Sequence, residues 1–257
     1  MGTFDEATVL SVRHWTDRLF SFTTTREAGF RFTSGQFVML GLMVDGRPLM
    51  RAYSIASSAY DPELEFFSIK VPDGALTSRL QHVEPGDQVL LGRKPTGTLV
   101  LQNLLPGSTL WLLATGTGLA PFLSIARDID TYAQFERVVL VHGVRRVRDL
   151  AYADLLRHQL PQHPYLGESV RRQLTYCPLV TREPFERSGR IPDLIARGAL
   201  ESGLGLPLLD PHRDRCMLCG SAAMLSDTRA VLEGLGFDEG SMGTPGSYVV
   251  ERAFVER

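Results

Sequence analysis

The chain has 257 residues, with 27 Lys and Arg against 29 Asp and Glu and a formal charge of -2. At 44% hydrophobic and 22% charged it reads as a soluble globular protein long enough for two cores. That balance offers no electrostatic reason to expect nucleic acid, and three cysteines (Cys177, Cys216, Cys219) are an odd number for a disulfide framework.

The N-terminus, Met1 to Glu6, is acidic and lacks the basic-then-apolar order of an export signal, so a cytoplasmic location is expected. The uncharged stretch from Pro95 to Ala126 is interrupted by Asn103, Pro106, Gly107, Gly116, Gly118 and Pro121. It reads as a barrel edge, a linker and a buried strand, not a membrane helix.

The first half is short strands punctuated by turns. Thr8–Arg13, Leu19–Thr24, Gln36–Leu40, Arg51–Ile55, Leu64–Val71 and Gln88–Leu91 are apolar or alternating. Asp45-Gly46, Asp61-Pro62, Pro72-Asp73-Gly74 and Glu84-Pro85-Gly86-Asp87 separate them. Six strands at this spacing predict an N-terminal antiparallel β-barrel over residues 1–103. The fourth strand is expected to start with Arg51-Ala52-Tyr53-Ser54, with Arg51 and Tyr53 on one face and Ser54 on the other. A guanidinium suits a phosphate, an aromatic ring suits a flat heterocycle, and a hydroxyl can bond a ring nitrogen. An ordinary strand with a Tyr and a surface Arg fits the same residues. After the fifth strand, Gly74 can turn the chain and Thr77-Ser78 can cap a short helix whose free N–H groups would bind an anion such as a pyrophosphate; a plain capped connector is the alternative.

Past Pro106-Gly107 the period changes. Apolar strands at Thr109–Ala114, Val138–His142, Thr175–Val180 and Arg215–Leu218 alternate with helical stretches near Pro121–Asp130, Leu150–His158, Ile191–Arg197 and Ala222–Leu235. This predicts an α/β domain over residues 104–257 with a parallel sheet covered on both faces, binding its ligand at the strands' carboxyl ends. The first of these strands runs into Thr115-Gly116-Thr117-Gly118-Leu119-Ala120-Pro121. Its glycines permit a tight turn and close phosphate approach, and Pro121 suits a first helical turn. The residue after the second strand of such a sheet selects the dinucleotide. Here Arg145 and Arg146 follow His142-Gly143-Val144, Arg182 follows the third strand, and Arg190 comes soon after. Arginines there favour NADPH over NADH. The last strand spans Gly246–Phe254. Cys219, before Gly220, fits either a buried structural thiol or a neighbour of a cofactor ring. Glu251 fits either an edge carboxylate or an acid held in a cleft. Cys216 and Cys219, three apart on a strand, point to opposite faces and make a poor redox pair.

Taken in order, Arg51-Ala52-Tyr53-Ser54, Ile69-Lys70-Val71-Pro72-Asp73-Gly74, Leu76-Thr77-Ser78-Arg79-Leu80, Ala114–Pro121, Val141–Arg145, Met217–Gly220 and Val250–Val255 form a specific set. Together they resemble the bacterial ferredoxin (flavodoxin)–NADP reductases over nearly the whole chain. The resemblance implies FAD and NADP(H) as cofactors and ferredoxin or flavodoxin as separate redox partners; a monomer is expected, although the sequence itself carries no signal of oligomeric state. It implies that Arg51 holds the FAD pyrophosphate, that Tyr53 lies against the flavin ring, and that Ser54 reaches its reactive edge. Phe67, Ser68, Ile69, Lys70, Ala75, Leu76, Thr77 and Ser78 would contact the rest of FAD, with Thr117 near the flavin. Cys219 would lie beside the nicotinamide, with Glu251 closing the same cleft. Arg145, Arg182 and Arg190 would grip the adenosine phosphate of NADP. Where plant-type members end in a tyrosine, this chain has Ala253 and continues through Phe254, which the resemblance places on the FAD adenine. Other readings are an NAD(P)H reductase serving an oxygenase or free flavin, a non-catalytic electron-transfer subunit, and a plain nucleotide-binding module.

Overall fold

The structure, a computed structural model, describes residues 4–251. Its first half is one antiparallel sheet of β1 (Phe4–His14), β2 (Leu19–Thr25), β3 (Phe37–Val44), β4 (Arg47–Ser54), β5 (Glu63–Ile69) and β6 (Gln88–Gly92), ordered β4-β3-β6-β1-β2-β5. The sheet curls until its two edges meet at a bridge between Ile55 and Phe66. Alternate side chains (Phe20 and Phe22, Val38 and Leu40, Leu64 and Phe66) fill the interior, as a two-residue period requires. A one-turn helix, α1 (Thr77–Leu80), adds Leu76 and Leu80 to the same core.

The fourth strand begins four residues before Arg51, so the Arg51–Ser54 segment is its end rather than its start. Pro48, ahead of the expected start, pairs with Met43 in the ladder. β4 is an edge of the sheet. A proline there removes no bond that a further strand would need.

The second half is a parallel sheet of β7 (Thr109–Thr115), β8 (Arg137–Val144), β9 (Leu174–Val180), β10 (Asp214–Cys219) and β11 (Tyr248–Val250), ordered β11-β10-β7-β8-β9. Around it run α2 (Ala120–Ala126), α3 (Ile129–Gln134), α4 (Gly167–Gln173), α5 (Ile191–Ala196), α6 (Ala199–Ser202) and α7 (Ala222–Gly234). One face buries Leu110, Leu112, Leu140, Met217 and Cys219, and the other buries Trp111, Leu113, Val139, Cys216 and Leu218. Cys216 and Cys219 therefore lie on opposite faces, and all three cysteines are free and buried.

Two helices differ from expectation. The stretch over Pro121–Asp130 breaks at Arg127, because the Asp128 carboxylate accepts from the Asp130 N–H and starts α3. Leu150–His158 is not a regular α-helix: Tyr152 is left-handed (φ 61°), and Leu155–Gln159 forms a π-turn. The final strand starts two residues later than read: Tyr248–Val250 ladder on Cys216–Leu218, and residues 252–254 of the stretch lie outside the described residues.

The halves are joined by polar and apolar groups together. Arg127 and Glu65 form an ion pair at 2.7 Å, and the Tyr152 hydroxyl donates to the other Glu65 oxygen at 2.7 Å. Trp15 and Phe67 pack on the Tyr152 ring at 4.5 and 5.2 Å. Arg215, almost wholly buried, fixes the linker by donating to the carbonyls of Leu105, Pro106 and Pro211. No helix among the described residues is long and apolar enough to cross a membrane.

Candidate active site

The end of β4 lies where the barrel closes, beside the Ile55–Phe66 bridge. Tyr53, opposite Val38, turns its ring into the barrel core, so that burial pushes its phenol up, offset in part by nearby Ser68 of β5. Ser54, next along, is buried, and Ala52 is half-buried. Arg51 is exposed and donates to the Met50 carbonyl, meeting no carboxylate among the described residues. Arg51 and Tyr53 thus share a strand face but end in different surroundings.

Along β5 the candidates separate. Ser68 sits inside with Tyr53, whereas the Phe67 ring packs on Tyr152 at the junction of the two halves. Ile69 is exposed, and Lys70 donates through Nζ to the Thr16 carbonyl at 3.2 Å. In the following turn Leu76, not Thr77 or Ser78, occupies the N-cap of α1, and the Thr77 hydroxyl donates to Val71 instead. The backbone N–H groups of Ala75 and Leu76 have no hydrogen-bond partner among the described residues.

On the other side, β7 and β10 run parallel in register, Ala114 beside Cys219, and end together. The chain after Thr115 makes a 3-10 turn, Gly116–Leu119, which leads into α2 with Pro121 in its first turn and contacts β5 of the barrel. Gly118 lies so close to the end of β10 that a Cβ there would fall 2.4 Å from the Cys219 carbonyl oxygen. The Thr115 hydroxyl accepts from the Ser221 N–H at 3.1 Å, closing the two strand ends into one lip. Cys219 is buried, and burial together with nearby Glu251 raises its thiol far above the ordinary range, so it is a neutral thiol. Glu251 continues from β11, its N–H donating to Leu218 and its carboxylate accepting from the Thr98 N–H at 3.4 Å. The structure therefore brings Thr115, Gly116, Gly118, Cys219 and Glu251 together at the carboxyl ends of the strands.

Arg145 and Arg182 are exposed at the ends of β8 and β9 and joined by a backbone bond from Arg182 N to the Arg145 carbonyl at 3.0 Å. Neither guanidinium meets a carboxylate among the described residues, whereas Arg190 is paired with Asp227 and lies 3.9 Å from Asp193. Ala253 and Phe254 lie outside the described residues. Sequence reading missed Thr98, which is 153 residues from Glu251 and carries no local signal. It also named His142 without a role, although a histidine inside the apolar run Val138–Val141 is itself a signal.

The donors left over match the group that the sequence implies. An exposed guanidinium and two unpartnered backbone N–H groups on the barrel side suit a pyrophosphate, and buried hydroxyls at the barrel's closure suit the polar edge of a flavin. A cavity of about 520 Å3, lined by Arg13, Trp15, Glu65, Arg127 and Tyr152 among others, lies elsewhere and contains none of these candidates.

Fold and site together define an oxidoreductase with separate flavin and nicotinamide-nucleotide halves. Residues 7–100 match the family model for the oxidoreductase FAD-binding domain, and residues 112–230 match that for the oxidoreductase NAD-binding domain. The chain is 60% identical over 250 residues to a ferredoxin–NADP reductase of Pseudomonas aeruginosa, covering 97% of each chain. It is 53% identical over 252 residues to a flavodoxin/ferredoxin–NADP reductase of Rhodobacter capsulatus, covering 98% of this chain and 93% of that one. A ferredoxin NADP+ reductase from Neisseria gonorrhoeae, solved with bound FAD and NADP, superposes with a TM-score of 0.89 at 32% identity, covering 99% of this chain and 100% of the other. The chain belongs to the ferredoxin–NADP reductase family.

Proposed function

We propose that this chain exchanges a hydride with NADP(H) and single electrons with ferredoxin or flavodoxin, working as a monomer in the cytoplasm, with FAD held by residues 1–103 and the nucleotide by residues 104–257. The observation that carries this reading is the single lip formed by Thr115–Gly118 and Cys219, closed against the barrel-side residue Thr98 by Glu251. Bound FAD supplies the exchange between electron pairs and single electrons.

The protein's own groups position the reactants. Ser54 offers its hydroxyl at the barrel's closure for the flavin edge, Tyr53 beside it packs against the ring, and Arg51 with the N–H groups of Ala75 and Leu76 takes the pyrophosphate. Thr77, Ser78 and Lys70 lie along the same run, with Thr117 facing the flavin from the opposite lip. Cys219, a neutral thiol, packs beside the nicotinamide without competing as a nucleophile, and Glu251 closes the cleft. Arg145 and Arg182, free of carboxylate partners, read the 2′-phosphate. Arg190 contributes less, because Asp227 and Asp193 already hold it.

The test is the rate of NADPH and of NADH oxidation by the purified chain with ferredoxin and with flavodoxin as acceptors. Fast NADPH-dependent reduction of either acceptor, well above the NADH rate, is expected. Reduction of free flavin alone, or equal use of both nucleotides, would overturn the assignment.

A further inference from the structure

His142 stands directly beside Ala114 in the β7–β8 ladder and is completely buried among the apolar side chains of one sheet face. An unsatisfied ring nitrogen there would carry the full desolvation penalty of a buried polar group. Neither nitrogen is unsatisfied. Nε2 lies 3.1 Å from the Gly116 carbonyl oxygen, and Nδ1 lies 3.3 Å from the Tyr176 hydroxyl on β9. A carbonyl oxygen only accepts, so Nε2 carries the proton. Nδ1 is then the acceptor, and Tyr176 donates to it. Burial lowers the His142 pKa to about 4 and raises the Tyr176 phenol, so both groups keep these roles at neutral pH.

The Gly116 carbonyl belongs to the turn that forms the nucleotide lip. Gly116 has φ 56°, with open space beside it, so its backbone turns the carbonyl down towards the sheet at a position where only glycine is unstrained. The peptide joining Gly116 to Thr117 is trans, so its N–H points opposite to its C=O. Pinning the carbonyl inward on His142 therefore turns the Thr117 N–H outward, into the cleft.

We propose that His142, with its tautomer set by Tyr176, is a positioning residue for the nucleotide: it locks the Gly116–Thr117 peptide so that the Thr117 N–H is presented to an acceptor oxygen of the bound dinucleotide. The inference rests on the functional reading above and adds to it a control residue from the sheet interior. Tyr176 extends the control further, since Arg157 lies 5.8 Å over its ring, connecting the lip to the third strand's surface.

The experiment uses the flavin-loaded protein and three variants, His142→Leu, His142→Gln and Tyr176→Phe. NADP+ affinity is read by calorimetry, KM and kcat for NADPH by stopped-flow, and the His142 ring by nitrogen NMR. The wild type is expected to show the Nε2–H tautomer. His142→Leu is expected to weaken NADP+ and raise the NADPH KM about tenfold with kcat changed less than about twofold, the loss of one good hydrogen bond's worth of orientation. His142→Gln, which can still place an N–H near the carbonyl, is expected to recover most of that loss. Tyr176→Phe is expected to raise KM about threefold and to populate the second tautomer. Should His142→Leu prove insoluble, the Gln and Phe variants carry the same comparison. A wild-type Nδ1–H tautomer, or unchanged NADP+ affinity in His142→Leu, overturns the inference, as does equal loss in the Leu and Gln variants. A wild-type holoprotein that binds no NADP+ overturns the functional reading instead, which the tautomer measurement distinguishes.

Discussion

The two sides of the cleft are built differently. The sheet side is held by the protein itself: Gly118 packs on Cys219, Thr115 bonds Ser221, and His142 fixes Gly116. On the barrel side no such internal bracing holds the candidate donors: Arg51 is exposed, and the Ala75 and Leu76 N–H groups have no partners among the described residues. A nucleotide that arrives and leaves every turnover needs a preorganised lip, since ordering it anew each time would cost affinity. A resident cofactor can supply the missing partners once and keep them.

The comparison can be broken most severely through the buried histidine. His142 has a folded pKa of about 4 against 6.5 unfolded, so the unfolded chain binds the extra proton first. Its neutral state is fully compatible with folding above pH 6.5, and stability falls as pH drops from there through 4, by on the order of 3 kcal/mol. Denaturant titrations of wild type and His142→Gln across that window should show the steeper acid loss in the wild type. Parallel curves would show that the ring is not held neutral.

Close packing at the lip is tested next. Gly118→Ala puts a Cβ on the Cys219 carbonyl and should cost about 1–3 kcal/mol in stability while raising the NADPH KM. A melting temperature and KM unchanged from wild type would show that the lip is looser than its geometry. On the barrel side, Ser54→Ala should slow NADPH-driven reduction of the flavin about tenfold or more with little change in melting, because a hydrogen bond made at the reacting edge is lost. An unchanged single-turnover rate removes Ser54 from the chemistry.

The smallest effects separate the three arginines. Arg145→Ala and Arg182→Ala should each weaken NADPH about tenfold and leave NADH nearly untouched. Arg190→Ala should cost about threefold at most, because Asp227 and Asp193 already offset its charge. Equal losses for the two nucleotides would mean that none of them reads the 2′-phosphate.

Much of this arrangement was legible in the chain. Turn residues delimit the barrel strands, and the change to apolar runs after Pro106-Gly107 marks the parallel sheet. The glycines after Thr115 point to the lip. What was not legible depends on distant partners. Pro48 sits in a strand only because β4 is an edge, which pairing order decides. Tyr152 adopts a left-handed backbone where its hydroxyl meets Glu65, which also pairs with Arg127 across the two halves. Thr98 reaches Glu251 over a sequence distance that no local pattern spans.

The central claim is that one cleft brings a flavin edge at Ser54 to the nicotinamide held beside Cys219. The most direct measurement is the visible spectrum of the gently purified protein during anaerobic mixing with NADPH and, separately, NADH. The account predicts flavin absorption bands that bleach within seconds with NADPH and far more slowly with NADH. A colourless protein that cannot be reconstituted with FAD, or bands that NADPH leaves unchanged, would contradict it.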